Sequence, residues 1–249
     1  MSCSHGGSYK HAVPLQISGS GHLIEDSWFY GEGRYVVQCY SGDNITIRRN
    51  VIRWDATVAG APDEPNAAMS NYSCSDMIWE NNISLDYAVP DTYMTHCGDI
   101  CMSTTGEVQN HRVQYLGNMV VNHSPGTGNN RALRADQKRS TPSTDITVKD
   151  FYARGADFGI IFNPLYENTV IGNCTMIDVG SNGSADGDPV VCNNDADVTV
   201  RYINGIKTTE PLFPFMNESL IRRDMCANDE RQSDWCLTNK SLEDYVLNK

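Results

Sequence analysis

The sequence predicts an all-β solenoid: short strands coiled into about seven stacked rungs, closed by a small C-terminal cap. Three observations predict it. A short apolar strand, then Asn or Asp, then a second apolar strand recurs along most of the chain. A third strand candidate stands ahead of each such pair. No amphipathic helix of about 10–15 residues separates the strands, which argues against a doubly wound α/β sheet.

The paired strands fall at 23–28, 45–52, 77–83, 113–120, 146–151, 169–176 and, weakly, 198–203. Their anchors are Asp26, Asn50, Asn82, Asn118, Asp150, Asn173 and Tyr202. The mean spacing is about 29 residues, inside the range of repeat architectures. Candidates for the preceding strand are 34–40, 67–72, 99–104, 131–136, 158–163 and 189–194. Pro, Gly, Asn and Asp crowd the loops at 55–66, 87–98, 123–130 and 178–188, as turn chemistry requires. Their unequal lengths argue against the hairpins of a simple barrel.

One three-strand turn cannot bury its inward side chains alone. Stacking turns buries a continuous core and pairs each strand in parallel with its neighbours. Asn at a repeated bend tolerates a left-handed backbone, and its amide can bond the next Asn in the stack. On this repeat, and on Asn50, Asn82, Asn118 and Asn173 at the bend, the chain resembles the right-handed parallel β-helix of the pectin-lyase-like superfamily over about residues 20–207. The domain reading is a polar lead-in at 1–20, the β-helix at 21–207 and a capping segment at 208–249. In that segment 211–216 is an apolar patch suited to closing the coil, and 217–225 reads as a short helix with Asn217 as N-cap.

Composition narrows the function classes. The net charge over 249 residues is −12, which disfavours nucleic acid because phosphates would be repelled. The apolar runs are only a few residues long, so no segment reads as a membrane span. No apolar leader core stands in residues 1–20. Nine cysteines suit an oxidising, extracellular setting. The number is odd, so at least one thiol is free or pairs between chains. Cys226 and Cys236 flank a polar loop and form a candidate bridge; Cys39, Cys174 and Cys192 sit in strand patterns where a small apolar residue suits the core. Eight N-x-Ser/Thr triplets, among them those at Asn44, Asn71 and Asn82, are what chance gives in a chain rich in these residues.

The resemblance implies a substrate groove on the outer face of the strand before the first turn. Alternation in 131–136 puts Leu133 and Ala135 inward, with Arg134 and Asp136 outward. Ser103 and Asn163 on neighbouring rungs would line the substrate, and Lys138 and Arg139 follow in the turn. Such a set could bind an acidic sugar. It could also remove the proton α to a uronate carboxylate, with Arg134 or Lys138 as base or charge stabiliser and Asp136 placing a cation or partner. The alternative for these charges is a surface ion pair of little worth. The dense Asp set of a calcium-dependent lyase and the paired Asp of the related hydrolases are both missing from the sequence.

Two further clusters could hold a metal. Asp186 and Asp188, near Asn193, Asn194, Asp195 and Asp197, offer hard oxygens that suit calcium, although turn chemistry explains the same residues. His96, Cys97, Cys101 and His111 could make a tetrahedral zinc site or a disulfide, or simply pack. Tyr30, Tyr35, Tyr40, Trp54, Tyr72, Tyr87 and Tyr93 could stack on sugars or fill the core. The leading expectation is a protein that recognises, and could cleave as a lyase or glycoside hydrolase, an extracellular polysaccharide. The alternatives are a non-catalytic glycan-binding module and a structural solenoid segment of a larger surface or tailspike-like protein.

Overall fold

The computed structural model describes residues 2–3, 13–31, 35–54, 67–85, 100–103, 108–121, 131–135, 142–156, 158–162, 166–172, 174–177, 190–192, 237–241 and 244. These residues are almost entirely β-strand, arranged in one 7-stranded and one 14-stranded sheet. Every strand pair is parallel except Phe158–Phe162 with Val190–Cys192, which is antiparallel. Both sheets curl around a shared core, as a solenoid requires.

A triplet of strands recurs. The third turn runs through Ala67–Tyr72, Ser75–Glu80 and Ile83–Leu85. The fourth follows as Ile100–Ser103, His111–Leu116 and Met119–Val121, each strand in parallel register with its predecessor. Two turns precede them, beginning at Leu15–Ser20 and Tyr35–Arg48. Two follow, beginning at Arg131–Ala135 and Phe158–Phe162. Six turns are thus described where the repeat predicts about seven; the seventh candidate, 198–203, lies outside the described residues. So do the apolar patch, the short helix and Cys226 with Cys236. The range read as a polar lead-in carries the strand Leu15–Ser20, because Leu15 and Ile17 alternate into the core beside Val37 and Cys39.

The bend between the second and third strands opens the same way in the first five turns. Its first residue has a left-handed backbone: Asp26 (φ 51°), Arg49 (54°), Asn81 (52°), Gly117 (64°) and Asp150 (56°). An ordinary side chain adopts that conformation at a cost of about 1–2 kcal/mol, so Asn, Asp and Gly dominate there. The residue after it points inward. In the middle turns it is Asn50, Asn82 and Asn118, all fully buried. The Asn50 amide donates to Asn82 Oδ1 at 3.0 Å, and the Asn82 amide to Asn118 Oδ1 at 3.0 Å. The same amides also donate to the Ile24 and Ile47 carbonyls, at 3.1 and 2.8 Å, and the Asn118 amide donates to the Trp79 carbonyl at 2.7 Å. The backbone N–H groups of Ser27, Asn50 and Asn82 donate to the next Oδ1 in the stack, at 3.0–3.1 Å. The buried side-chain amides of Asn50, Asn82 and Asn118 therefore all find partners.

The register corrects two of the sequence anchors. Asp26 and Asp150 occupy the left-handed position, one residue before the asparagine column; the inward residues there are Ser27 and Phe151. Residue 173 lies outside the described residues, but register places Cys174 opposite Phe151. Asp and Asn satisfy both positions, which is why spacing alone merges them.

A second left-handed column marks the start of the middle strand: Gly21 (φ 77°), Asn44 (52°), Asp76 (52°), Arg112 (54°), Asp145 (61°) and Asn168 (52°). Unusually, two arginines stand in these columns, and each is held by an aspartate of the turn before. Arg49 reaches Asp26 at 2.7 and 2.8 Å, and Arg112 reaches Asp76 at 2.6 and 2.7 Å.

Inside the coil, Ile45, Met77 and Val113 stack in one row and Ile47, Trp79, Tyr115 and Val148 in the next. Trp79 and Tyr115 are stacked rings, 6.3 Å apart with planes 15° off parallel. The Tyr115 hydroxyl donates to Asn71 Oδ1, and burial pushes its pKa well above the ordinary value.

Candidate functional site

The candidate face is the outer side of the sheet formed by Leu15–Ser20, Tyr35–Arg48, Ala67–Tyr72, Ile100–Ser103, Arg131–Ala135 and Phe158–Phe162. Val36 with Val37, Ala68 with Met69 and Ala132 with Leu133 all join the core as adjacent pairs. Two successive inward residues break strict alternation, so Tyr35, Ala67 and Arg131 face out ahead of the kink. After it, alternation resumes. Leu133 and Ala135 join the core, and Arg134 takes the opposite side.

Two rows of side chains run across this outer face. One holds Gln38, Ser70, Cys101 and Arg134 in direct register. The other holds Tyr40, Tyr72 and Ser103. Tyr72 is the centre of an aromatic cluster. Its ring meets Tyr35 edge-on at 5.6 Å and stacks with Tyr40 at 6.2 Å and 17°. The hydroxyls of Tyr35 and Tyr72 share a hydrogen bond of 2.5 Å. Tyr40 remains 39% exposed, whereas Gln38, Ser70, Cys101, Ser103, Arg131 and Arg134 are all buried. The Oγ atoms of Ser70 and Ser103 are buried without a hydrogen-bond partner.

Of the residues singled out from sequence, Arg134 and Ser103 share this face. Arg134 is 3% exposed, a cation enclosed beneath the face. The Ser103 carbonyl accepts from Ser73 N–H at 3.2 Å and the Asn110 amide at 2.7 Å. Asp136, Lys138, Asn163, Asp186 and Asp188 lie outside the described residues, and so do His96 and Cys97. Cys101 packs with Tyr35 and Ala67, while the His111 ring, on the next strand, meets Thr144 Oγ1 at 3.1 Å. Among the described residues no three His, Cys, Asp or Glu side chains converge as metal ligands would. Asn71 and Asn82 are fully buried, so their N-x-Ser triplets present no accessible acceptor amide.

Sequence reasoning passed over a second buried asparagine network at the corner opposite the ladder. The Asn71 amide donates to Asn110 Oδ1 at 3.0 Å, and so does the Cys74 N–H, also at 3.0 Å. The Asn110 N–H donates to Ser143 Oγ at 3.1 Å. Asn110 follows a segment of variable length, so no period exposes it. The Tyr40–Tyr72 contact was legible in principle: the candidate strands 34–40 and 67–72 end on these two residues, and the two strands run in register.

Among the described residues the strongest ionic cluster stands elsewhere, at the first ladder bend. Glu25 binds Arg48 and Arg49 at 2.7 and 2.8 Å, and Arg49 also holds Asp26. The hydrogen bond from Arg49 keeps the Asp26 carboxyl below its ordinary range. Every acid here is matched by a guanidinium, so the cluster fixes a corner and leaves no base free for chemistry.

Compared with known proteins, the chain matches no family model, no curated protein and no solved structure.

Proposed function

We propose that the chain is a right-handed parallel β-helix of the pectin-lyase-like kind, working outside the cell, that recognises a polysaccharide along the outer face of its strand-rich sheet. The hand is supported by the near-universal right-handedness of crossovers between parallel strands of one sheet. The observation that carries the functional reading is the Tyr35–Tyr72–Tyr40 cluster, with Tyr40 exposed beside it. A rigid, partly exposed aromatic platform with a polar edge suits the apolar face of a sugar ring. Arg134, enclosed in the adjoining row of the same face two strands from Tyr72, is the cation by which this reading favours a uronate over a neutral glycan.

Cleavage is the further step of this reading. It would fall to Arg134, Asp136 and Lys138, with calcium at Asp186 and Asp188 as its metal-assisted form. The experiment is a titration of the full chain with neutral and uronate-containing polysaccharides, with unsaturated products followed in parallel. Tyr40→Ala should weaken binding to a responsive glycan about 3–10-fold, the worth of one aromatic contact. Equal binding by wild type and Tyr40→Ala would overturn the platform. Absence of any glycan response would leave the structural-segment reading in its place.

A further inference from the structure

The core holds a pair of thiols that neither the fold nor the glycan reading uses. Cys39 lies in the strand Tyr35–Arg48 of the second turn, and Cys74 at the corner after Ala67–Tyr72 in the third. Both are fully buried and both are free thiols. Their sulfurs stand 3.0 Å apart, about 1 Å beyond the disulfide bond length of about 2.05 Å. The room for this approach comes from Gly42, the register partner of the Cys74 position. A Cβ on Gly42 would lie 2.5 Å from the Cys39 sulfur and 2.6 Å from Ile45 Cδ1. The Cys74 thiol also donates to the Tyr72 carbonyl at 3.2 Å, which fixes its side chain toward Cys39. Cys101 and Cys174 are buried thiols too.

We propose that Cys39 and Cys74 close into a disulfide that staples the second turn to the third when the chain folds in the presence of an organic disulfide such as oxidised glutathione. One cysteine thiolate attacks the glutathione disulfide and expels a glutathione thiolate, leaving a mixed disulfide. The other cysteine, deprotonated, attacks the protein sulfur of that bond and expels the second glutathione. The two cysteines lose two protons and two electrons, and one glutathione disulfide becomes two thiols. The sulfurs are closed off from solvent in the finished fold, so the exchange belongs to folding, before the third turn seats on the second. The bridge closes a loop of 35 residues' separation and joins two rungs that are otherwise held by backbone pairing, packing and the Asn50–Asn82 hydrogen bonds.

The test refolds the full reduced chain in a glutathione redox buffer, alkylates remaining thiols in denaturant and maps the peptides without reduction. The expected result is a Cys39–Cys74 linked peptide in most molecules, with Cys101 and Cys174 recovered alkylated. Reduction should lower the melting temperature by about 5–15 °C. Cys39→Ala should return Cys74 as an alkylated thiol and abolish that difference. Recovery of both Cys39 and Cys74 as alkylated thiols after oxidative refolding would overturn the proposal, as would their pairing indiscriminately with other cysteines. Should Cys39→Ala fail to fold, the wild-type peptide map decides alone.

Discussion

Within one bend of the coil, two fillings meet the same backbone. In the second to fourth turns the inward residue is Asn50, Asn82 or Asn118; the Asn50 amide bonds Asn82 and the Asn82 amide bonds Asn118. In the fifth turn the same position is Phe151, buried in the hydrophobic core. The residue just before is left-handed in both cases, Asn81 at φ 52° and Asp150 at φ 56°. The backbone hydrogen bonds continue across the change: Met119 N–H to the Asn82 carbonyl at 2.8 Å, then Tyr152 N–H to the Asn118 carbonyl at 3.0 Å. The left-handed residue sets the geometry of the bend. The asparagine ladder is one way to fill it, and an aromatic ring is another.

The comparison can be broken first where the filling is apolar. Phe151→Ala should cost about 3–5 kcal/mol by cavity formation, measured by denaturant unfolding. A cost below about 1 kcal/mol would mean that the ring does not close the bend. Asn82→Ala comes next. It removes the acceptor for the Asn50 N–H and amide and a donor to Asn118 and the Ile47 carbonyl. Stranding those buried groups should cost about 1–3 kcal/mol, and Asn82→Asp should not restore it, since a carboxylate lacks the donors.

How much of this could be read from sequence follows the same division. The ladder was legible because Asn50, Asn82 and Asn118 recur before an apolar residue, at a spacing that only stacked turns explain. The filling by Ser27 and Phe151 was not, because neither residue type marks a bend, and the aspartates beside them did. Four strands of the candidate face were legible to within a residue or two: 67–72, 99–104, 131–136 and 158–163 as expected, against Ala67–Tyr72, Ile100–Ser103, Arg131–Ala135 and Phe158–Phe162 as found; Leu15–Ser20 fell in the range read as a lead-in, and 34–40 runs on without a break to Arg48. Which side of them is enclosed was not, because burial on an outer face depends on the fold of the whole chain and leaves no period in one strand. Arg134 reads as an exposed charge in isolation and is enclosed in the fold.

A sharper and smaller test separates conformation from filling. Asn81 is exposed and its side chain makes no bond in the ladder, so only its backbone conformation matters. Asn81→Val should cost about 1–2 kcal/mol, the strain of a branched residue in the left-handed region. Asn81→Gly should fall within about 1 kcal/mol of wild type. Equal effects from the two would show that conformation does not govern the bend.

The smallest effect concerns the charged entrance to the column. The Asp26 carboxyl is held below its ordinary pKa chiefly by the hydrogen bond from Arg49. Its contribution is therefore present above the unfolded carboxylate range, near pH 4, and lost as pH falls through the lower folded value. Asp26→Asn should narrow the difference in stability between pH 7 and pH 2.5 by less than about 1 kcal/mol, as a partly exposed ion pair allows. An unchanged difference would remove Asp26 from the acid sensitivity of the fold.

The central claim is that consecutive turns are locked by side-chain amides passed from one bend to the next, and amide hydrogen exchange tests it most directly. The Asn50 N–H has Asn82 Oδ1 as its acceptor at 3.1 Å, whereas the neighbouring Arg49 N–H has the Glu80 carbonyl at 3.0 Å. In the wild-type protein both amides should be protected to a similar degree. In Asn82→Ala the Asn50 amide should exchange at least about tenfold faster relative to Arg49, the rate change of one lost hydrogen bond, while Arg49 keeps its backbone partner. An Asn50 amide that exchanges freely in the wild type, or one whose protection survives Asn82→Ala, would contradict the ladder and the stacking of turns it joins.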